Sequence, residues 1–193
     1  MAHAPHPENV ALLARFTAAL AAAGLVTEDQ IAEQIARTDR ASPRIGAAMV
    51  ARAWTDAGYH ALMLKDGSAA AEAMGISMVG APPLGVLADA PGLHHLVVCT
   101  LCSCYPRAVL GYPPHWYKSA AYRARAVRDP RGVLAEWGTT LPEATQIRVV
   151  DSTADYRWMV LPTRPEGTAG WDEARLAALV TRDVLVGTRL PTA

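Results

Sequence analysis

The chain has 193 residues, enough for one domain, or one domain with an arm, and for a core that needs no staples. Apolar residues make up 51% and charged residues 19%, a globular rather than a disordered composition, and 18 basic residues balance 18 acidic ones, so there is no basic footprint for nucleic acid. No apolar run is long enough to span a membrane, and the start at Met1 has neither the basic nor the apolar segment of a signal peptide, so a cytoplasmic location is expected.

Residues 1–8 read as a frayed terminus, in which His3 and His6 could at most bind stray metal. A helix is expected from Asn9, with Val10, Leu13, Phe16 and Leu20 on one face and Gly24 in the C′ position. Thr27 to Gln30 is a capping box that opens a second helix carrying Ile31 and Ile35. Ser42-Pro43 opens a third as cap and first-turn proline, with Ile45 and Met49 inward and Gly58 closing it. These apolar stripes are narrow. Residues 1–57 therefore read as a helical arm that packs on another surface, and 58–193 as the main domain; the alternative is a small helical cap on the chain's own sheet.

Tyr59 to Leu64 reads as a strand, Ser68 to Met74 as a short helix stopped by Gly75, and Leu84 to Leu87 as a strand. Leu93 to Val98 is a buried strand. His94 and His95 fall on opposite faces of it, so at most one could face a site at its tip, and a core or surface role is favoured over metal ligation. After residue 105, Pro113-Pro114 and Trp116-Tyr117 make a rigid turn, Ser119 caps a helix, and Asp129-Pro130 opens another that ends at Gly138. Gln146 to Val150 and Tyr156 to Leu161 read as two strands joined by a turn over 151–155, and Trp171 to Val180 as a last helix. The fold class is α+β: the helical arm followed by a layered α/β/β/α domain.

The chemistry is concentrated in Cys99-Thr100-Leu101-Cys102-Ser103-Cys104, which holds all three cysteines of the chain. An odd count so tightly packed is not a disulfide framework. Thiolates are soft ligands for transition metals, but no second cysteine pair or histidine pair follows to complete a tetrahedral zinc site. In Cys102-Ser103-Cys104 the two sulfurs flank the backbone nitrogens of Ser103 and Cys104. A metal bound to all four atoms closes one six-membered and two five-membered chelate rings, a planar claw. Cys99 can add an axial sulfur, and one position stays open. Low-spin cobalt(III) or iron(III) suits such a claw and zinc does not. Inert buried cysteines at a strand end are the bland alternative. Ser103 is the sole candidate for a serine nucleophile here, and nothing pairs it with a positioned histidine.

This constellation resembles the nitrile hydratase α subunit. The resemblance continues through Tyr105-Pro106, Leu110-Gly111, Pro113-Pro114, Trp116 to Ser119, Tyr122-Arg123, Arg128 to Arg131, Asp151-Ser152, Arg164-Pro165, Gly167-Thr168, Gly170-Trp171 and Thr181 to Asp183, covering roughly residues 93 to 190. It implies hydration of a nitrile to the amide at a non-haem cobalt or iron held by Cys99, Cys102, Ser103 and Cys104, with Thr100 resembling the cobalt subgroup. It implies oxidation of Cys102 to sulfinic and Cys104 to sulfenic acid, with the Cys104 oxygen as nucleophile or base. It also implies a β-type partner subunit whose arginines guard the oxidised sulfurs, a metallochaperone, and the helical arm as the hold on that partner. The chain departs from the family pattern at Arg107, where many cobalt enzymes carry Trp, and at His95, where Asn is common. At Gly80 to Pro83 it offers no pocket amide. Thiocyanate hydrolase, a relative with the same claw, has Arg at the position of Arg107. That subunit is one alternative reading, a polar substrate such as a nucleoside nitrile is another, and a metal-carrying or redox module without hydratase activity is a third.

Overall fold

The computed structural model describes residues 6–193; His3 lies outside them. The chain divides into one compact unit that ends at Arg40 and another from Ala41 to Ala193. In the first unit, α1 (Pro7–Ala22) begins on Pro7 and is followed by Gly24 at φ 67°, a left-handed conformation that glycine adopts without strain. Helix α2 (Glu28–Arg40) follows. The expected capping box forms in both directions: Gln30 N–H donates to Thr27 Oγ1 at 3.2 Å, and Thr27 N–H to Gln30 Oε1 at 2.9 Å. Neither helix has a buried residue, and Val10, Leu13 and Phe16 are all at least half exposed.

The second unit starts earlier than expected. Helix α3 (Pro43–Thr55) has Pro43 in its first turn and buries Gly46, Ala47, Met49, Val50, Ala51 and Ala53. Met49 and Val50 are core residues, so α3 belongs to the main domain and not to an arm ending at 57. Its small residues are what allow the close approach: a Cβ on Gly46 would come within 2.8 Å of Leu185. Residues 59–64 are not a strand. They form α4 (Ala57–Lys65), because Asp56 caps the helix by accepting from Tyr59 N–H at 2.9 Å; Gly58 lies inside this helix and does not close α3. Asp66 repeats the device for α5 (Gly67–Glu72).

Strands β1 (Leu84–Ala88) and β2 (Leu93–Val98) precede α6 (Arg107–Leu110), α7 (His115–Lys118), α8 (Ala120–Arg128) and α9 (Pro130–Glu136). Ser119 and Asp129 cap α8 and α9 through their side chains, as expected. Strands β3 (Gln146–Asp151) and β4 (Arg157–Leu161) follow; the last helix expected over Trp171 to Val180 is the shorter α10 (Glu173–Ala177), and a further short helix, α11 (Arg182–Leu185), comes after it. The short turn between β3 and β4 does not make a hairpin. Instead β1 pairs in parallel with β4, and β2 in parallel with β3. Helices α4 and α5 pack on β1, β2 meets β4, and α8 and α9 cover β2 and β3, so the layers run α/β/β/α. Parallel strands covered on both faces are continuous apolar runs, and Leu96, Val97, Met159 and Val160 are fully buried.

The start of β2 is fixed by an unusual buried group. Asp89 receives both histidines: its Oδ2 lies 3.0 Å from His94 Nδ1 and its Oδ1 3.0 Å from His95 Nδ1. Asp89 lies in the connection between β1 and β2, and its Oδ1 also accepts from His95 N–H at 2.8 Å. His94 Nε2 lies 2.7 Å from the Gly187 carbonyl. Both ring nitrogens of His94 thus face pure acceptors, which requires both to be protonated. Burial alone would push its pKa down, but the hydrogen bond and charge of Asp89, with the Gly187 carbonyl, raise it instead. Gly187 (φ 79°) is packed so tightly on His95 O that a Cβ has no room there. As expected, these histidines are core residues, and neither belongs to the sulfur cluster.

Candidate metal centre

Strand β2 ends at Val98 and delivers Cys99, fully buried, at its C-terminal tip. The chain then turns outward through Thr100, Leu101 and Cys102, all exposed, and returns to bury Cys104 and Tyr105. The turn brings the sulfurs together. Cys99 Sγ lies 3.6 Å from Cys102 Sγ, and Cys102 Sγ 3.3 Å from Cys104 Sγ. The three ligand atoms all fall within 4.8 Å of one another. Cys102 N–H also points inward and donates to Cys99 Sγ at 3.3 Å.

The side chains that hold the loop come from distant segments. Asp151, at the end of β3, accepts from Thr100 N–H at 3.0 Å and from the Thr100 hydroxyl. It can do so because Val98 and Asp151 are register partners across the parallel ladder. Arg123 on α8 donates from Nη1 to Leu101 O at 2.8 Å and Thr100 O at 3.2 Å. The adjacent Tyr122 hydroxyl donates to Val97 O at 2.7 Å, and Tyr117 to Cys104 O at 2.9 Å. Tyr105, Tyr117, Tyr122, Trp116 and Trp137 form one edge-to-face and stacked aromatic cluster beneath the loop. Ser152 Oγ accepts from Trp158 N–H at 3.1 Å, tying β3 to β4 next to the site. Arg157, the first residue of β4, carries a buried Nη1 without a partner, and its charge acts on Cys104.

The thiols are not equivalent. Cys102 is pulled down to about 7, mainly by the Cys104 sulfur and then by the Ser103 amide and Cys99. Cys104 is pushed up to about 12, first by burial and then by the neighbouring sulfurs, with Arg157 opposing. Cys102 is therefore the first of this pair to become a thiolate, the state that binds metal.

The donor set fits a single ion. With metal–sulfur bonds of about 2.3 Å, the 3.3 and 3.6 Å separations subtend about 92° and about 103° at a common centre, the first close to the octahedral angle and the second between the octahedral and tetrahedral values. Among the described residues no His, Asp or Glu joins the group as a fourth side-chain ligand. Cys99, Cys102 and Cys104 form a group that could hold one metal ion.

Two other residues of the sequence reading contribute no sulfur to the cluster. Arg107, in the first turn of α6, is exposed, and its guanidinium stands over the Tyr112 ring at 5.6 Å. Ser103 is half-buried between the two claw cysteines. The residues that sequence reasoning left without roles are Tyr117, Arg123, Asp151 and Arg157. All but Arg157 lie in segments that carried the family resemblance, but spacing along the chain does not reveal that they converge on residues 97–104.

The family profile described as "Nitrile hydratase, alpha chain" matches residues 8–189. The low-molecular weight cobalt-containing nitrile hydratase subunit alpha of Rhodococcus rhodochrous is 48% identical over 170 residues, covering 88% of this chain and 82% of that one. The thiocyanate hydrolase subunit gamma of Thiobacillus thioparus is 51% identical over 160 residues, 77% of this chain and 66% of the relative. Among solved structures, a recombinant thiocyanate hydrolase with partially modified cobalt centres superposes with a TM-score of 0.88 at 42% identity, covering 98% of this chain and 92% of that one. No described helix is long and apolar enough to cross a membrane. With the profile spanning nearly the whole chain and three sulfurs gathered at the tip of β2, the chain belongs to the nitrile hydratase α-chain family.

Proposed function

We propose that this chain is the metal-bearing α-type subunit of a nitrile hydratase, adding water across a C≡N bond to give the amide. The observation that carries the reading is the gathering of the three sulfurs within 4.8 Å of one another, with Cys102 Sγ 3.6 Å from Cys99 Sγ and 3.3 Å from Cys104 Sγ. Cys99, Cys102 and Cys104 would hold one cobalt(III) ion, with iron(III) as the alternative, through their sulfurs and the amide nitrogens of Ser103 and Cys104. Thr100 and the cobalt-containing relatives favour cobalt. When bound, the ion supplies Lewis acidity that makes a nitrile carbon or a water reactive at neutral pH.

The chain's own residues do the rest. The exposed Cys102 edge leaves the site open to substrate, while Tyr117 and Tyr122 hold the loop from below. Were Cys102 a sulfinate and Cys104 a sulfenate, the Cys104 oxygen would take a proton from water as the water oxygen bonds to the nitrile carbon. That proton would pass to the nitrile nitrogen, and the resulting imidic acid would rearrange to the amide. Sulfenate is easily over-oxidised, so its guard is expected from arginines of a β-type partner subunit. Loading of the ion would fall to a metallochaperone. A cytoplasmic location suits such an assembly. Arg107 would stand at the mouth of the site.

A second reading, thiocyanate hydrolysis, is favoured by the 51% identity to the thiocyanate hydrolase subunit and by the exposed cation of Arg107. The test is turnover of nitriles and of thiocyanate by the chain purified with its partner, alongside Cys99→Ala, Cys102→Ala and Cys104→Ala. Nitrile turnover that each substitution abolishes together with stoichiometric metal supports the proposal. Faster thiocyanate turnover selects the second reading. Readily released metal with unoxidised thiols and no turnover identifies a carrier or redox module.

A further inference from the structure

We infer that Arg123 is a positioning residue for the metal centre, acting on the Cys99 sulfur through the Leu101–Cys102 peptide group. The inference rests on the claw reading above. The contact chain is short. Arg123 Nη1 donates to Leu101 O at 2.8 Å, and the N–H on the other side of that amide, Cys102 N–H, donates to Cys99 Sγ at 3.3 Å. A trans peptide places its C=O and N–H on opposite sides of one conjugated plane. A cation on the oxygen draws electron density from the nitrogen and makes the N–H a stronger donor, the cooperative polarisation of linked hydrogen bonds. The sulfur that receives this stronger hydrogen bond gives less electron density to whatever it ligates.

Three further observations support this assignment. Among the described residues no carboxylate pairs with Arg123, and its Nε is buried without a partner, so its charge is directed at the loop carbonyls. The helix that carries it is fixed at its N-terminal end: Ser119 caps α8 by accepting from Tyr122 N–H at 3.1 Å, and the Tyr122 hydroxyl holds Val97 O. On the opposite edge of the loop, Asp151 accepts from Thr100 N–H while Arg123 donates to Thr100 O. The two peptide groups flanking residue 100 are thus held with an acceptor on one side and a cation on the other. Cys102 and Cys104 have no such link to Arg123, so its electronic effect falls on one sulfur of the three.

The experiment compares the wild-type complex, purified with its partner, with Arg123→Lys, Arg123→Met and, as a charge control on the same helix, Arg125→Gln, which removes the exposed pairs of Arg125 with Glu136 and Asp129. Metal content is measured first, then the energy of the thiolate-to-metal charge-transfer absorption. Arg123→Met should keep the metal and shift that band to lower energy, because a less hydrogen-bonded thiolate is more electron-rich. Arg123→Lys should restore part of the shift, and Arg125→Gln should leave the band in place. An unshifted band in metal-replete Arg123→Met overturns the inference. If Arg123→Met fails to retain metal, the decision passes to the metal-free full chain, where Cys102 amide exchange should accelerate about tenfold and its proton resonance move upfield. Unchanged exchange and resonance there also overturn it. If instead the wild-type complex holds no metal, the claw reading fails, and the Cys102 amide still decides whether the relay exists.

Discussion

Replacing His94 with Gln tests the fold at the start of the strand that carries the site. His94 and Asp89 are both buried, and the histidine bridges the carboxylate to the Gly187 carbonyl. Removing one member of a buried ion pair costs about 3–5 kcal/mol, because a charge is left without its partner. Here His95 stays on the same carboxylate, so the lower end, about 3 kcal/mol, is expected. For a chain of this size that is a loss of about 6–12 °C in Tm. The pH dependence has a definite sign. The folded-state pKa of His94 is raised, so its contribution is complete below the unfolded value of about 6.5 and is lost as the pH climbs through the folded value. The gap between wild type and His94→Gln should therefore narrow from about pH 6 to about pH 9. Urea unfolding at both pH values measures it. A cost below about 1 kcal/mol at the lower pH, or a gap that does not change, would refute the assignment of a buried imidazolium.

Asp151→Asn should loosen the claw loop by about 1–2 kcal/mol, since a charged acceptor of two hydrogen bonds becomes a neutral one; the half-life of metal retention against a chelator reads it, and an unaltered half-life would show that Thr100 does not depend on Asp151. Arg107→Trp removes an always-charged donor fork and should shift kcat/KM from polar toward small apolar or aromatic nitriles by about tenfold to a hundredfold, whereas an unchanged ratio would mean that Arg107 points away from the substrate. Deleting residues 1–40 should weaken association with the partner subunit and leave the second unit folded, since neither helix there has a buried residue; loss of all cooperative unfolding would place the arm in the core.

Much of this was legible from local chemistry. The capping box at Thr27, the caps at Ser119 and Asp129, and the boundaries of β2 follow from side chains acting on their own neighbours. The sulfur cluster was legible because its three cysteines fall within six positions. What failed were segments where one polar residue decides between two patterns. Residues 59–64 are apolar enough for a strand, and Asp56 makes them a helix. The narrow stripe of α3 looked like an arm, but it faces the core, and Gly46 sits where Leu185 and Leu110 leave no room for a side chain. The strand pairing was hidden because a short turn between β3 and β4 suggests a hairpin, while each strand instead finds a parallel partner more than fifty residues earlier in the chain. For the same reason Asp151, Arg123 and Arg157 carried no visible role: only the parallel registers and the path of α8 bring them to the loop.

The central claim is that one ion sits among Cys99, Cys102 and Cys104 with two backbone nitrogens. X-ray absorption at the metal edge, on the complex purified with its partner, tests this most directly. The account predicts one cobalt per chain, three sulfur scatterers, two nitrogen scatterers at shorter distance, and an edge energy characteristic of the trivalent ion. A tetrahedral zinc with sulfur ligands and no short nitrogens would contradict it.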